Sequence, residues 1–207
     1  MLIYGQTPDP RAMNDLQTLA AVIGFSANIP LIIGILRGTV KQSIATFILW
    51  AVLDTIAATT IFLQDGSWLL SAGYATSAIL VATTLWIKKQ RKWSADENWT
   101  TALVITCLIC WYVIGPAAGT ITSSLSVVIA SWPQMKMTYK DPNTTPSGTY
   151  LWFEIANLIG LYAGKGWTVE ERMYPMSVVF LTGVLLVLSL RKVKDLKSFV
   201  KKATTLI

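Results

Sequence analysis

Six stretches of this chain run 17 residues or longer with almost no charge, and that limits the fold more than any other feature. Leu16–Leu36 and Ser67–Ile87 are each 21 residues without a charge. Ser43–Leu63 is 21 residues with one, Asp54. Trp99–Met135 is 37 without one, Gly148–Gly164 is 17 with only Glu154, and Tyr174–Leu190 is 17 with none. A soluble helix is apolar along one stripe, whereas a membrane span is apolar all round for about 20 residues. A soluble core cannot bury this much uncharged chain within 207 residues. The sequence therefore predicts an all-α, multi-pass membrane protein.

The 37-residue stretch is too long for one crossing. As one helix it would measure about 55 Å, against about 30 Å of hydrocarbon. Gly115-Pro116 supplies the break, because glycine ends helices and proline suits a first helical turn. Trp99–Gly115 and Ala117–Lys136 then become two spans, and the expected total is seven transmembrane helices. The organisation that follows is a first three-helix bundle over 16–87, a linker helix over 99–115, a second bundle over 117–190 and a basic tail over 191–207.

Orientation comes from the basic residues. Loop 1–2 carries Arg37 and Lys41, loop 3–4 Lys88, Lys89, Arg91 and Lys92, and loop 5–6 Lys136 and Lys140. The tail adds Arg191, Lys192, Lys194, Lys197, Lys201 and Lys202, which makes 14 on one side. The other side has Arg11, Lys165 and Arg172. Basic residues collect on the cytoplasmic side, so the N-terminus is expected outside and the C-terminus inside. The same clustering explains a net charge of +6 without nucleic acid. The tail is expected to touch anionic lipid. Trp68, Trp86, Trp93, Trp99 and Trp167 fall at span ends, as interfacial belt residues do. Met1–Asp15 has no basic region feeding an apolar stretch, so it does not read as a signal peptide.

The halves repeat at a shift of 103. Ile29-Pro30-Leu31 falls on Trp132-Pro133-Gln134, Leu49-Trp50 on Trp152-Phe153, and Asp54 on Asn157. With one residue of slippage Ser43 falls on Ser147. Helices 1–3 match helices 5–7, and helix 4 is left over. Such a copy restarts on the same side of the membrane only if one extra crossing intervenes. The expected architecture is thus 3+1+3, with parallel repeats related by an axis along the membrane normal.

Asp54 is the sharpest functional signal. An ionised Asp at a span centre costs roughly 2.5–3.5 kcal/mol on insertion scales. Trp50 and Asp54 are four apart and share a helix face, as do Phe153 and Asn157. Two aromatics and two polar groups could then face one another around a pocket for a small polar solute. The plainer alternative is that Asp54 and Asn157 only bond neighbouring helices. Glu154, a second intramembrane acid, is a candidate with Asp54 for carrying a proton. Asn28 lies near Pro30 and is a further lining candidate; Tyr74 and Thr182 are weaker ones. Pro30 and Pro133 lie inside spans and suggest matched kinks or hinges.

The chain has no His, which excludes His-based catalysis and imidazole zinc sites. Cys107 and Cys110 lie in a span and read as packing residues. No catalytic constellation, metal site or cofactor is expected, and the chain does not read as an enzyme.

The segment Ser131-Trp132-Pro133-Gln134, followed by Lys140-Asp141-Pro142-Asn143 and Thr145-Pro146-Ser147, resembles the PQ-loop signature. The first copy, Asn28-Ile29-Pro30-Leu31 to Lys41-Gln42-Ser43, is degenerate and has Leu31 in place of Gln. PQ-loop proteins include SWEET sugar transporters, their half-sized SemiSWEET relatives and lysosomal cystine and cationic amino-acid exporters; the KDEL receptor has a related fold. The resemblance implies two three-helix bundles around a central path that opens alternately. Pro30, Pro133 with Gln134, and Pro146 match the hinge positions, while Gln42-Ser43 stands where a fourth proline is expected. SWEET-like sugar sites use an Asn pair on helices 3 and 7, and neither helix here contains Asn. That departure counts against a sugar site, and the acids Asp54 and Glu154 lean instead toward the proton-coupled, amino-acid-like branch.

These readings converge on a carrier that moves a small polar solute, such as an amino acid or sugar, by alternating access. Trp50, Asp54, Phe153, Asn157 and Asn28 would surround the substrate, with proton coupling through Asp54 or Glu154 as an option. The alternative is a seven-helix receptor or adaptor that binds a ligand without moving it. The membrane expected is the bacterial inner or plasma membrane, with an organelle membrane the other choice. A homo-oligomer is compatible with the sequence.

Overall fold

The computed structural model describes residues 10–90 and 95–204. Arg91, Lys92 and Trp93 lie outside the described residues, as do the side chains of the tail from Lys192 onward. All regular structure among the described residues is helical. The helices are α1 Pro10–Arg37, α2 Ile44–Phe62, α3 Leu69–Ile87, α4 Ala95–Ile114, α5 Pro116–Ala130, α6 Trp132–Lys140, α7 Ser147–Tyr162 and α8 Val169–Thr204. Among the described residues, four segments are long and apolar enough to cross a membrane: Arg11–Arg37, Ile44–Phe62, Leu69–Ile87 and Val169–Arg191.

Local sequence sets the boundaries. Gly38, at φ +75°, takes a left-handed conformation that ends α1 cheaply only as glycine. Ser43 caps α2 by accepting from the Thr46 amide at 3.2 Å. Gly115, at φ +110°, separates α4 from α5, and Pro116 opens α5, which is the break the sequence suggests.

Several boundaries differ from the sequence reading. The fifth apolar segment is not one helix over Ala117–Lys136. It divides at Ser131, and Pro133 lies in the first turn of α6 instead of inside a continuous helix. A proline there costs no backbone hydrogen bond, so the chain places the break just before it. Pro30 remains inside an unbroken α1. Ile44 and Ser147 both begin their helices, so Ser43 corresponds to Pro146 with no slippage. The tail is not a separate segment either, because α8 continues as helix to Thr204. Its Lys, Arg and Leu residues favour helix, and no Gly or Pro interrupts them.

The packing has a two-part plan. α3 packs against both α1 and α2, and α8 packs against both α5 and α7. Between these groups α1 meets α7, and α2 meets α5. Exchanging α1 with α5, α2 with α7 and α3 with α8 maps these contacts onto themselves. α4 lies against α5, with a smaller contact to α2. The approach of α3 to α1 depends on Gly73, where a Cβ would stand 3.2 Å from the Ala21 carbonyl oxygen.

Polarity is distributed inside out. Thr46, Asp54, Thr60, Ser77, Thr120, Ser123, Gln134 and Asn157 are buried. Ile29, Ile79, Val113, Leu158, Phe180 and Val187 are exposed. An apolar solvent supplies no hydrophobic drive between helices, so packing there relies on small residues and interhelical hydrogen bonds. Thr120 donates to Thr60 at 3.0 Å, and Gln64 donates to Thr120 at 2.8 Å, which ties α5 to α2 in that way.

Candidate functional site

A cavity of about 40 Å³ lies where the two three-helix groups meet. Each of the six helices in those groups contributes to its wall, and none of the described residues of α4 or α6 does. A buried water needs roughly 10–15 Å³ on this measure, so the cavity is narrow.

Its walls are aromatic. Phe47 and Trp50 come from α2, Tyr74 from α3, Tyr150 and Phe153 from α7, and Tyr174 from α8. These six form three matched pairs. Phe47 with Tyr150, and Trp50 with Phe153, are each 103 residues apart. Tyr74 and Tyr174 each stand five residues into their helices, after Leu69 and Val169. The ring contacts match too. Phe47 meets Trp50 edge-on with centroids 4.9 Å apart, and Tyr150 meets Phe153 edge-on at 5.8 Å.

The polar groups are paired crosswise. Tyr174 on α8 donates its hydroxyl to Asp54 Oδ1 on α2 at 2.9 Å. Tyr74 on α3 donates to Asn157 Oδ1 on α7 at 2.5 Å. Asp54 stands ten residues after Ile44, and Asn157 ten after Ser147. Each tyrosine thus crosses from one helix group to the matched polar residue of the other. Room for the Tyr74 ring comes from Gly24, where a Cβ would fall 2.5 Å from Tyr74 Cε1.

Asn157 continues into a chain of bonds. Its Nδ2 donates to Thr182 Oγ1 at 3.0 Å. Thr182 Oγ1 lies 2.5 Å from Glu154 Oε2 and 2.8 Å from the Val178 carbonyl oxygen. A hydroxyl has one proton, so Glu154 and the Val178 carbonyl are alternative acceptors for Thr182.

The remaining candidates fall around this centre. Asn28 lines the cavity, and its Nδ2 donates to Ser77 Oγ at 2.7 Å. Ser77 gives its own proton to the Tyr74 carbonyl at 3.1 Å, and Asn28 Oδ1 is buried without a partner. Trp50 Nε1 donates to Ser131 Oγ at 3.0 Å, at the joint between α5 and α6. Asn157 is fully buried behind Tyr74 and is not itself on the cavity wall. Glu154 is half-buried and reaches the wall only through Thr182.

Gln134 and the prolines Pro30, Pro133 and Pro146 lie apart from the cavity. Gln134 is fully buried, and its Nε2 donates to Thr145 Oγ1 at 3.3 Å, which links α6 to the turn before α7. Thr138 and Thr145 share a further bond at 2.8 Å. Pro146 directly precedes α7. Pro30 is exposed on the outer face of α1.

At the opposite end, Gln17 of α1 donates to Ser67 Oγ and, at 2.8 Å, to the Ala163 carbonyl. Ser67 donates to Glu171 Oε2 at 2.7 Å, which also accepts from the Lys165 amide at 3.1 Å. Arg172 holds the α7–α8 loop by donating to the carbonyls of Leu161, Gly164 and Gly166. This polar cluster ties α1, the α2–α3 loop and the α7–α8 loop together.

Sequence reading missed Phe47, Tyr150 and Tyr174. The first two repeat at the same shift of 103 and were open to discovery. Tyr174 was harder to see, because α2 has 19 residues and α7 has 16. The shift therefore drops to 100 by the last helix of each group. Searches of protein-family models, curated proteins and solved structures give no significant match to this chain.

Proposed function

We propose that the chain is a membrane carrier of the PQ-loop, SWEET-like type, which moves a small polar solute by alternating access. In this reading seven spans cross the membrane, with α5 and α6 together forming the fifth. The N-terminus is outside and the C-terminus inside, in line with the 14-to-3 division of basic residues. The two three-helix groups are the moving parts, and α4 is the linker of a 3+1+3 plan with parallel repeats.

The observation that carries the reading is the crossed pair, Tyr174 with Asp54 and Tyr74 with Asn157, at a cavity shared by both groups. A single interhelical bond in a membrane protein averages about 0.6 kcal/mol. Two such bonds are strong enough to order the closed arrangement and weak enough to exchange as the groups rock. Asp54 and the Glu154 chain are the candidates for proton coupling. The basic end of α8 would rest on anionic lipid.

The test is uptake into proteoliposomes of labelled sugars, amino acids and amines, with and without an inward proton gradient. Uptake of one class supports the carrier. Binding in detergent without flux for any solute would replace the carrier by a receptor of the same fold.

A further inference from the structure

Within the carrier reading, the chemistry of the cavity wall selects among solutes. The wall holds six aromatic side chains, one carboxylate, Asp54, and no Lys or Arg among the described residues. A second carboxylate, Glu154, is one hydroxyl away through Thr182. None of the described Lys and Arg residues, from Arg37 and Lys41 to Lys136, Lys140 and Arg191, lines this cavity.

Each common class of solute can be set against this wall. A sugar brings several hydroxyls, each of which needs a partner once buried. The wall's buried polar atoms without a partner are Asn28 Oδ1 and the Tyr150 hydroxyl, which are 4% and 1% exposed as residues. An α-amino acid brings a carboxylate, which would enter beside Asp54 with no cation to meet it. An ammonium ion suits all of these features. Aromatic faces attract it, Asp54 offsets its charge, and Asn28 Oδ1 accepts a hydrogen bond from an N–H or a neighbouring hydroxyl.

We propose that the aromatic cavity between the two three-helix groups binds a small organic cation, a quaternary or protonated ammonium without a carboxylate. Phe47, Trp50, Tyr74, Tyr150, Phe153 and Tyr174 cage the cation, and Asp54 is its counter-ion. The matched aromatic pairs bring rings to the head group from both sides, while the carboxylate on α2 alone gives the wall its charge. A cavity of about 40 Å³ grips a head group only after the groups part slightly, a movement the crossed tyrosines would permit.

The experiment is equilibrium binding of labelled choline to the full chain in detergent, followed by uptake into proteoliposomes. Two competitors isolate the chemistry. 3,3-Dimethyl-1-butanol has the shape and hydroxyl of choline without the charge, and glycine betaine has the charged head with a carboxylate. Choline is expected to bind at least about tenfold more tightly than either, since charge and its neutralisation set the preference. Asp54→Asn is expected to weaken choline by a similar factor. Tyr150→Leu gives a second reading that does not depend on the carboxylate: it should weaken choline several-fold, and Tyr150→Phe, which restores the ring, should recover most of that loss. Equal binding of choline and the neutral alcohol would overturn the proposal, and so would displacement of choline by a sugar. Choline bound but not carried would leave the cation site standing and remove the transport reading. Flux of a neutral solute with no choline binding would do the reverse.

Discussion

The two three-helix groups share one scaffold and carry different chemistry. In α2 the central sequence is Phe47, Trp50 and then Asp54, all on the cavity wall; in α7 it is Tyr150 and Phe153 on the wall, and then Asn157 one bond behind it. Positions, ring geometry and the crossed tyrosine bonds are retained. The charge is not: the first group has a carboxylate where the second has an amide. The joints differ as well, since α1 runs unbroken through Pro30 while α5 and α6 part at Ser131. The comparison teaches that the duplicated frame fixes where groups meet, and single residues decide what the meeting place binds and which group bends.

The largest expected effect comes from making the centre alike in both groups. Asp54→Asn leaves an amide on each side and keeps the acceptor for Tyr174. What is lost is the carboxylate's charge, not the bond, so uptake should fall by roughly tenfold, which corresponds to about 1.4 kcal/mol. Any response to an inward proton gradient that passes through Asp54 should vanish. Unchanged, gradient-driven uptake in this variant would transfer the coupling role to Glu154.

Truncating the aromatic walls should come next. Trp50→Ala and Phe153→Ala each remove one ring of a matched pair, and both should lower uptake while circular dichroism still reports a helical protein. Trp50 should cost more, because its Nε1 also bonds Ser131 at the α5–α6 joint and the Phe153 ring has no donor. Equal losses would mean that the bond at the joint does not contribute. Normal uptake in both variants would take the pair out of the site.

A smaller effect should follow from Gly24→Ala. The new methyl would overlap the Tyr74 ring, which its bond to Asn157 holds in place. Overpacking costs about 1–3 kcal/mol, so thermal unfolding in detergent should shift downward. The first group should suffer alone, because Val127 already occupies the matched position in α5. Tyr74→Phe frees the ring from Asn157 and should weaken the effect of Gly24→Ala, which a double-mutant cycle would detect.

Much of this was legible in the sequence, for identifiable reasons. Uncharged length exposes the long apolar helices, and Gly115-Pro116 carries its own backbone chemistry. Asp54, Trp50, Phe153 and Asn28 stood out as a charge or polar group in an apolar run, or as an aromatic at matched spacing, and the fold brings them to one cavity. Asn157 was found the same way, yet it lies one bond behind the wall. Tyr174 escaped because a three-residue difference between α2 and α7 hides its match with Tyr74. Glu171 escaped because a glutamate near a helix start reads as solvent-exposed, and only tertiary packing against Ser67 shows it buried. The division at Ser131 is also tertiary in part, since its hydroxyl bonds the Val127 carbonyl and accepts from Trp50 on α2.

Gln134 sets the smallest effect and the finest test of the comparison. In the first group its place is taken by Leu31, which is fully buried at the same shift of 103. Gln134→Leu would give both groups the same residue there. The substitution removes the bond to Thr145, yet Thr145 keeps its bond to Thr138 and is not left alone. It also removes Gln134 Oε1, a buried acceptor without a partner. The two changes oppose each other, so stability should move by less than about 1 kcal/mol in either direction. Uptake should change more than stability if Gln134 serves the movement of α6 against α7. A large loss of thermal stability would mean instead that Gln134 is a structural tie between α6 and the turn before α7, and the difference between the two joints would then be one of strength, not of motion.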